Sequence, residues 1–333
     1  MTTPSLTTRA ATGRLMSIPE AASVIRTGRL LCIAGEESQL KKLPAGNWIG
    51  GTIPYFMNED GGTTDRERVF VCELPTGDAP ADIRLYDVES LPRVCADGPA
   101  NGYTLVIIPA FSEAHMRYAR EAPDFEDMFV RPIVGWIAGV HLDELEVARP
   151  AVFDGSTGRL ERECAVALHI PLPDDRYAHI DIINGMRQGD GDRIRFPKTD
   201  FSASDCLVNG TPTNLATYLD TQDNDPGLPL VANYCGAQVN VSIRGVNRKA
   251  REVEFYAPVF DDVEYRLAAP AASIEEGLIA ADNARFSCNC VLNYVHEGLE
   301  GRRTGHLTGP MTFGEIAYLL LNQTLVYLSV EEV

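Results

Sequence analysis

Apolar positions along this chain fall mostly into short continuous runs bounded by turn residues, with a few stretches at helical spacing between them. Leu30–Ala34, Tyr103–Ala110 and Ile133–Val140 lack polar alternation, the pattern of strands buried on both faces. Trp48–Met57, Arg68–Leu74, Ala178–Ile183, Arg193–Phe196, Asp205–Val208, Val239–Arg244, Glu252–Val259, Phe286–Val291 and Thr324–Val330 add further predicted strands. Ala151–Phe153 and Glu163–Ile170, separated by a Gly-Ser-Thr-Gly turn, read as a hairpin. Capping signals place helices at Ser17-Ile-Pro-Glu20 (to Arg26), at Ser112 (to Ala122) and at Ser273-Ile-Glu-Glu276 (to Ala284). Glu36–Leu43, Thr211–Leu219 with Pro212 in the first turn, and Gly314–Leu321 are predicted as three more. Strands and helices mix in both halves, which predicts an α+β chain with mixed or largely antiparallel sheets. No clear short sequence repeat is found.

At 333 residues the chain suits two domains of ordinary size. The polar, Pro/Asp-rich turn at Pro171–Asp175 is the expected boundary, giving one αβ domain over 17–172 and a second over 173–333. Residues 1–16, Thr-rich with two arginines and no acid, are expected to be a disordered leader. A net charge of −18 repels polyphosphate and anionic lipid, so neither nucleic acid nor a membrane surface is an expected partner. No apolar run approaches the roughly 18 residues of a membrane span, and the leader lacks the apolar core of a secretory signal. The eight cysteines are scattered through apolar contexts such as Leu31-Cys32-Ile33, which fits reduced thiols in a cytoplasmic protein.

Chemically capable side chains are densest in Ala284–Val330. Cys288 and Cys290 share one face of a strand, with His296 and His306 downstream. The C-x-C spacing fits zinc poorly, and no metal is expected. Cys288 with His296 or His306 as base is the enzymatic alternative; the structural alternative is a pair of core thiols. Thr312-Phe-Gly-Glu315 is a capping box, so Glu315 either satisfies the Thr312 N–H or faces a ligand ammonium. Arg244 ends an apolar strand, placed to grip a carboxylate or to make an edge salt bridge. Arg303 lies in a glycine-rich loop that could close over an anion, and Asn322 is expected in a left-handed conformation at a helix end. Gly50-Gly51-Thr52 lacks the spacing of a phosphate-binding loop, so no nucleotide cofactor is expected.

The order of signals in the second half resembles the FIST family of intracellular signal-transduction sensors. The resemblance rests on Val208-Asn209-Gly210-Thr211-Pro212, Val241-Ser242-Ile243-Arg244, Phe286-Ser287-Cys288, Gly314-Glu315-Ile316 and Asn322-Gln323-Thr324-Leu325. Ile49-Gly50-Gly51-Thr52 and Val152-Phe153-Asp154-Gly155 extend it into the first half. Such a resemblance implies a sensor of a small, amino-acid-like ligand that signals through a separate protein partner. Arg244 would hold the ligand carboxylate and Glu315 its ammonium. The Cys288 strand would form the floor, with Asn322 and Arg303 nearby. Asn209 stands where that family usually has an acid, and Asn289-Cys290 where an arginine usually follows Phe-Ser-Cys.

Overall fold

A computed structural model describes residues 12–77, 79–222, 227–234, 237–271 and 281–333. The chain is α+β and mostly strand, at 46% strand and 15% helix. Three copies of one strand pattern organise it. The first comprises β1 (Arg14–Met16), α1 (Ile18–Ile25), β2 (Leu31–Gly35), α2 (Glu37–Leu40) and β3 (Trp48–Thr52). It continues through a hairpin, β4 (Tyr55–Asn58) and β5 (Gly61–Thr64), to β6 (Val69–Glu73). The second runs from β7 (Asp82–Tyr86) through β8 (Gly102–Pro109), α3 (Glu113–Glu121) and β9 (Ile133–Ala138). Its hairpin is β10 (Val152–Asp154) and β11 (Arg159–Glu161), followed by β12 (Ala165–Pro171). The third opens with β13 (Arg176–Asn184). After an insertion carrying ten strands, from β14 (Met186–Gln188) to β23 (Glu264–Pro270) among the described residues, and α4 (Leu215–Thr221), it resumes with β24 (Ala284–Cys290), α5 (Val291–His296) and β25 (Gly309–Thr312). Hairpin β26 (Glu315–Ala317) and β27 (Leu319–Leu321), then β28 (Thr324–Glu332), complete it.

Pairing repeats with the pattern. In each copy the first strand is antiparallel to the last: β1 to β6, β7 to β12 and β13 to β28. The last strand is antiparallel to the second, and the second runs parallel to the third across a helical crossover. The hairpin leaves its own sheet. β4–β5 extends the third copy's sheet beside β25, β10–β11 the first copy's beside β3, and β26–β27 the second copy's beside β9. The result is three six-stranded sheets, each completed by a neighbour in cyclic order.

Their inner faces meet in one core. Cys32 and Ala34 of β2, Leu105 and Ile107 of β8, and Phe286 and Cys288 of β24 enter it together with Trp136, Met311 and Leu328. Outer faces pack separately: Leu31, Ile33 and Val71 against Ala21, Ile25 and Leu40, and Val106 and Ile108 against Ala114 and Tyr118 of α3. Strands buried on both faces explain the unbroken apolar runs. Each large side chain so buried contributes about 1.5–3 kcal/mol. Capping is as read for two helices. Ser17 donates its N–H to Glu20 Oε2 (2.8 Å), and Ser112 Oγ accepts from the His115 N–H (3.0 Å).

The insertion forms its own small sheets and its own core of Ile194, Phe196, Leu215, Leu230, Val253, Phe255 and Tyr265. It occupies the link that holds α1 in the first copy and a 3-10 turn at Leu91–Arg93 in the second. The turn at Pro171–Asp175 separates the second copy from the third, yet strands from both sides of it share two of the large sheets. No helix among the described residues is long and apolar enough to cross a membrane.

Several local readings differ. Part of the expected leader is ordered: Arg14–Met16 is β1, and Thr12 is buried against Thr308 and Ser287. Residues 1–11 and the capping box at 273–276 lie outside the described residues. Trp48–Met57 is two strands in different sheets, broken at Ile53-Pro54 where proline offers no donor to a ladder. Val152–Asp154 pairs with Arg159–Glu161, while Ala165–Pro171 pairs elsewhere. Thr211–Asn214 is a strand, and the helix starts after Asn214, whose side chain accepts from the Thr217 N–H. Gly314–Leu321 is the β26–β27 hairpin, with Tyr318 at φ 64; eight residues with Glu315 as the one charge carry no periodicity that tells helix from strand.

Gly51 lets two of the sheets approach closely. A Cβ there would lie 2.7 Å from both Ile107 Cγ2 and Trp136 Cη2, which are fully buried. Gly51→Ala is therefore expected to cost about 1–3 kcal/mol through overpacking. Urea unfolding checks it, and a variant as stable as wild type would show that Trp136 has room to move.

Candidate functional site

The predicted residues separate in space. Glu315 is fully buried in β26, opposite Trp136 of β9. Its Oε2 accepts from the Thr324 N–H (3.2 Å) and Oγ1 (2.8 Å), and Oε1 lies 3.4 Å from Thr312 Oγ1. Burial pushes its carboxyl up to about 8, against the opposing hydrogen bonds from Thr324, Cys290 and Thr312. At neutral pH it is mainly the uncharged acid. The capping role is absent because no helix starts at Thr312. Glu315 instead ties together β25, β26 and β28.

Cys290 closes β24 and begins α5, its thiol facing Glu315. Burial, then the Glu315 carboxyl, raises it well above the ordinary thiol range despite N–H groups from Gln323 and Leu292. Cys288 is equally buried, raised by the same two causes, and donates to the Gly135 carbonyl at 3.3 Å. His296 sits at the surface 3.4 Å from Gln323 Nε2, and His306 Nε2 lies 3.2 Å from the Ala281 carbonyl. A protonated core thiol is a poor nucleophile, and the two histidines are engaged elsewhere. Among the described residues no three metal-capable side chains converge.

Arg244 is exposed, its Nε 3.9 Å from Glu254 Oε2, which is the edge salt bridge rather than a carboxylate grip beside Glu315. Arg303 is also exposed. The left-handed residue is Gln323 (φ 52), not Asn322. Gln323 bridges units, accepting from Ser242 Oγ (2.7 Å) and donating to the Gly227 carbonyl (3.2 Å). Asn322 is buried, and neither end of its amide has a partner among the described residues. Asn184 and Asn240 exchange two amide hydrogen bonds of 3.0 Å beside it, holding the insertion to the body.

Sequence reasoning missed a cleft of about 300 Å³ where the first copy meets the second. It lies beyond the carboxyl ends of the parallel strands β2 and β3 and of β9, the position where open sheets with parallel strands commonly take ligands. Its walls carry charges of both signs: Glu36, Glu37 and Glu144 against Arg149 and Arg162. Arg162 donates to Glu37 Oε2 (2.6 Å) and to the Arg149 carbonyl (2.6 Å). Burial works against the Glu37 carboxylate, but Lys41 and Arg162 prevail and hold it below its usual range. Thr52, Gly139 and Val140 line the floor side, with Thr52 Oγ1 accepting from the Ala151 N–H (2.9 Å).

The cleft exists because the three copies are unequal here. Between third strand and hairpin the first copy has only Ile53-Pro54 and the third only Phe313-Gly314, whereas the second has residues 139–151. The available signal was that long stretch of mixed Asp, Glu, His and Arg between two strand readings, where binding residues concentrate.

A family model described as a family of unknown function (DUF6976) matches residues 16–331, spanning all three copies and the insertion. No curated protein matches the chain.

The state of Glu315 sets a pH dependence. Its folded value of about 8 lies above the ordinary 4.5, so the fold favours the protonated form. That contribution is complete at low pH and is lost as pH rises through about 8. Glu315→Gln keeps the neutral shape without the titration. The urea midpoint of wild type should fall relative to Glu315→Gln between pH 5 and pH 8; a constant difference would show that Glu315 titrates normally.

Proposed function

The chain belongs to this family of unknown function, and we propose that it is a binding protein for a small, amino-acid-like zwitterion held in the cleft between the first and second copies. One observation carries the reading. The link between third strand and hairpin, far longer in the second copy than in the other two, builds an open cleft with fixed charges of both signs. A zwitterion matches such walls, its carboxylate toward Arg162 or Arg149 and its ammonium toward Glu36 or Glu144. A volume of about 300 Å³ suits a ligand of that size. Val140, Ile53 and Pro54 supply apolar contact for a side chain.

This reading keeps the class of ligand expected from the sequence and moves the site. The buried, protonated states of Glu315, Cys288 and Cys290 favour a structural role for the C-terminal cluster over a thiol-dependent reaction. A sensor that reports to a separate protein partner is the natural extension of a binding protein.

A thermal-shift screen of the common amino acids, followed by calorimetry, tests the proposal. A ligand at 100 times its Kd raises stability by about 2.7 kcal/mol. Arg162→Ala and Glu144→Ala should each weaken its binding about tenfold or more, because each leaves one ligand charge unpaired. Arg244→Ala should leave affinity unchanged. The reading is wrong if no amino acid binds, or if the bound one ignores both cleft substitutions.

A further inference from the structure

We propose that residues 139–149 form a strap along one side of the cleft, latched to the other side by Arg66, so that breaking one ion-pair cluster lets the strap swing out and widens the site. The inference rests on the cleft being the ligand site.

Arg66 belongs to the first copy, on the turn after β5, and it reaches into the second copy's long link. Its Nη1 and Nη2 make a bidentate pair with Glu144 at 2.8 and 2.9 Å. Its Nε donates to Glu36 at 2.9 Å, so the guanidinium bridges one wall of the cleft and the link that lines the other. The bidentate geometry orients the link as well as attracting it. Elsewhere the link meets the first copy through the Leu142 N–H, which donates to the Tyr55 hydroxyl at 3.0 Å with the His141 ring stacked on Tyr55 at 5.5 Å between centroids, and through the Ala151 N–H, which donates to Thr52 Oγ1 at 2.9 Å.

The start of the link is anchored by Val140 in the core, by Leu142 against it and by the Gly139 N–H on the Thr52 carbonyl (2.7 Å), so the latch acts on the stretch beyond them. There Val147 is 83% exposed and Leu145 43%, and residues 143–149 bury little apolar surface of their own. Segments tied by exposed polar contacts rather than packed side chains open at the low end of a protein's stability range. Arg66, Glu144 and Glu36 are all partly solvated, so their mutual attraction is modest and falls with salt. That combination gives a latch that holds at low ionic strength yet releases locally, without unfolding the three sheets. The first and third copies have no counterpart, since Ile53-Pro54 and Phe313-Gly314 are too short to move independently.

Hydrogen exchange read by mass spectrometry on the full chain tests this without any ligand. Arg66→Gln and Glu144→Gln should each speed exchange of the 140–149 amides about five- to tenfold, with β2, β3 and β8 unchanged. Wild-type protein in about 0.5 M NaCl should shift the same segment in the same direction, which keeps the test valid if either variant folds poorly. Unchanged exchange at 140–149 in both variants and in high salt overturns the strap. Uniformly faster exchange across all three sheets also overturns it, because the pair would then be supporting the global fold. Faster local exchange in a protein that binds no amino acid would sustain the strap and remove the ligand reading instead.

Discussion

Everything in this molecule depends on three sheets sharing one apolar core while each lends a hairpin to the next. A third strand left at a sheet edge would present unpaired N–H and C=O groups, a template for aggregation. Here β3, β9 and β25 are each covered by a hairpin from another copy. The exchange makes the copies interdependent, since no sheet is complete within its own stretch of chain. It also fixes the strand identities: the parallel pairs are buried on both faces, and Gly51 is bare because Trp136 of the second copy crosses above it.

The departures from threefold equivalence are where chemistry becomes available. One departure is the insertion after β13, with its own core and a polar seam of Asn184, Asn240, Ser242 and Gln323 joining it to the body. The other is the 139–151 link, which opens a charged cleft at strand ends that are closed tightly in the other two copies. In the third copy the start of the hairpin is instead a buried polar cluster of Glu315, Thr312, Thr324 and Cys290. That cluster buries an acid without a cation, which the fold tolerates by keeping it protonated and hydrogen-bonded.

Most strands were legible because burial on both faces leaves a strong mark, as in Tyr103–Ala110 and Ile133–Val140. The α1 and α3 starts were legible because capping is a local code, carried by Ser17, Glu20 and Ser112. The C-terminal hairpin was not, because Gly314–Leu321 is apolar apart from Glu315 and its turn falls on Tyr318, a residue with no turn signature. The threefold pattern also left no sequence trace. Equivalent inward positions are Cys32, Leu105 and Phe286, and a core asks only for apolar volume that sums correctly, not for the same residue three times.

The sequence by itself determined the class of the fold, the main strands, the acidic surface and the candidate chemistry of the last segment. Its spacing also identified Cys288 and Arg244 as residues whose structural alternatives, core thiol and edge ion pair, describe them here. Tertiary structure alone decided which charges meet. Arg66, Glu36, Glu144 and Arg162 come from distant points in the chain, and they converge only because the second copy's hairpin crosses into the first copy's sheet. Periodicity reports which face of an element is buried; it carries no record of which other element lies against it.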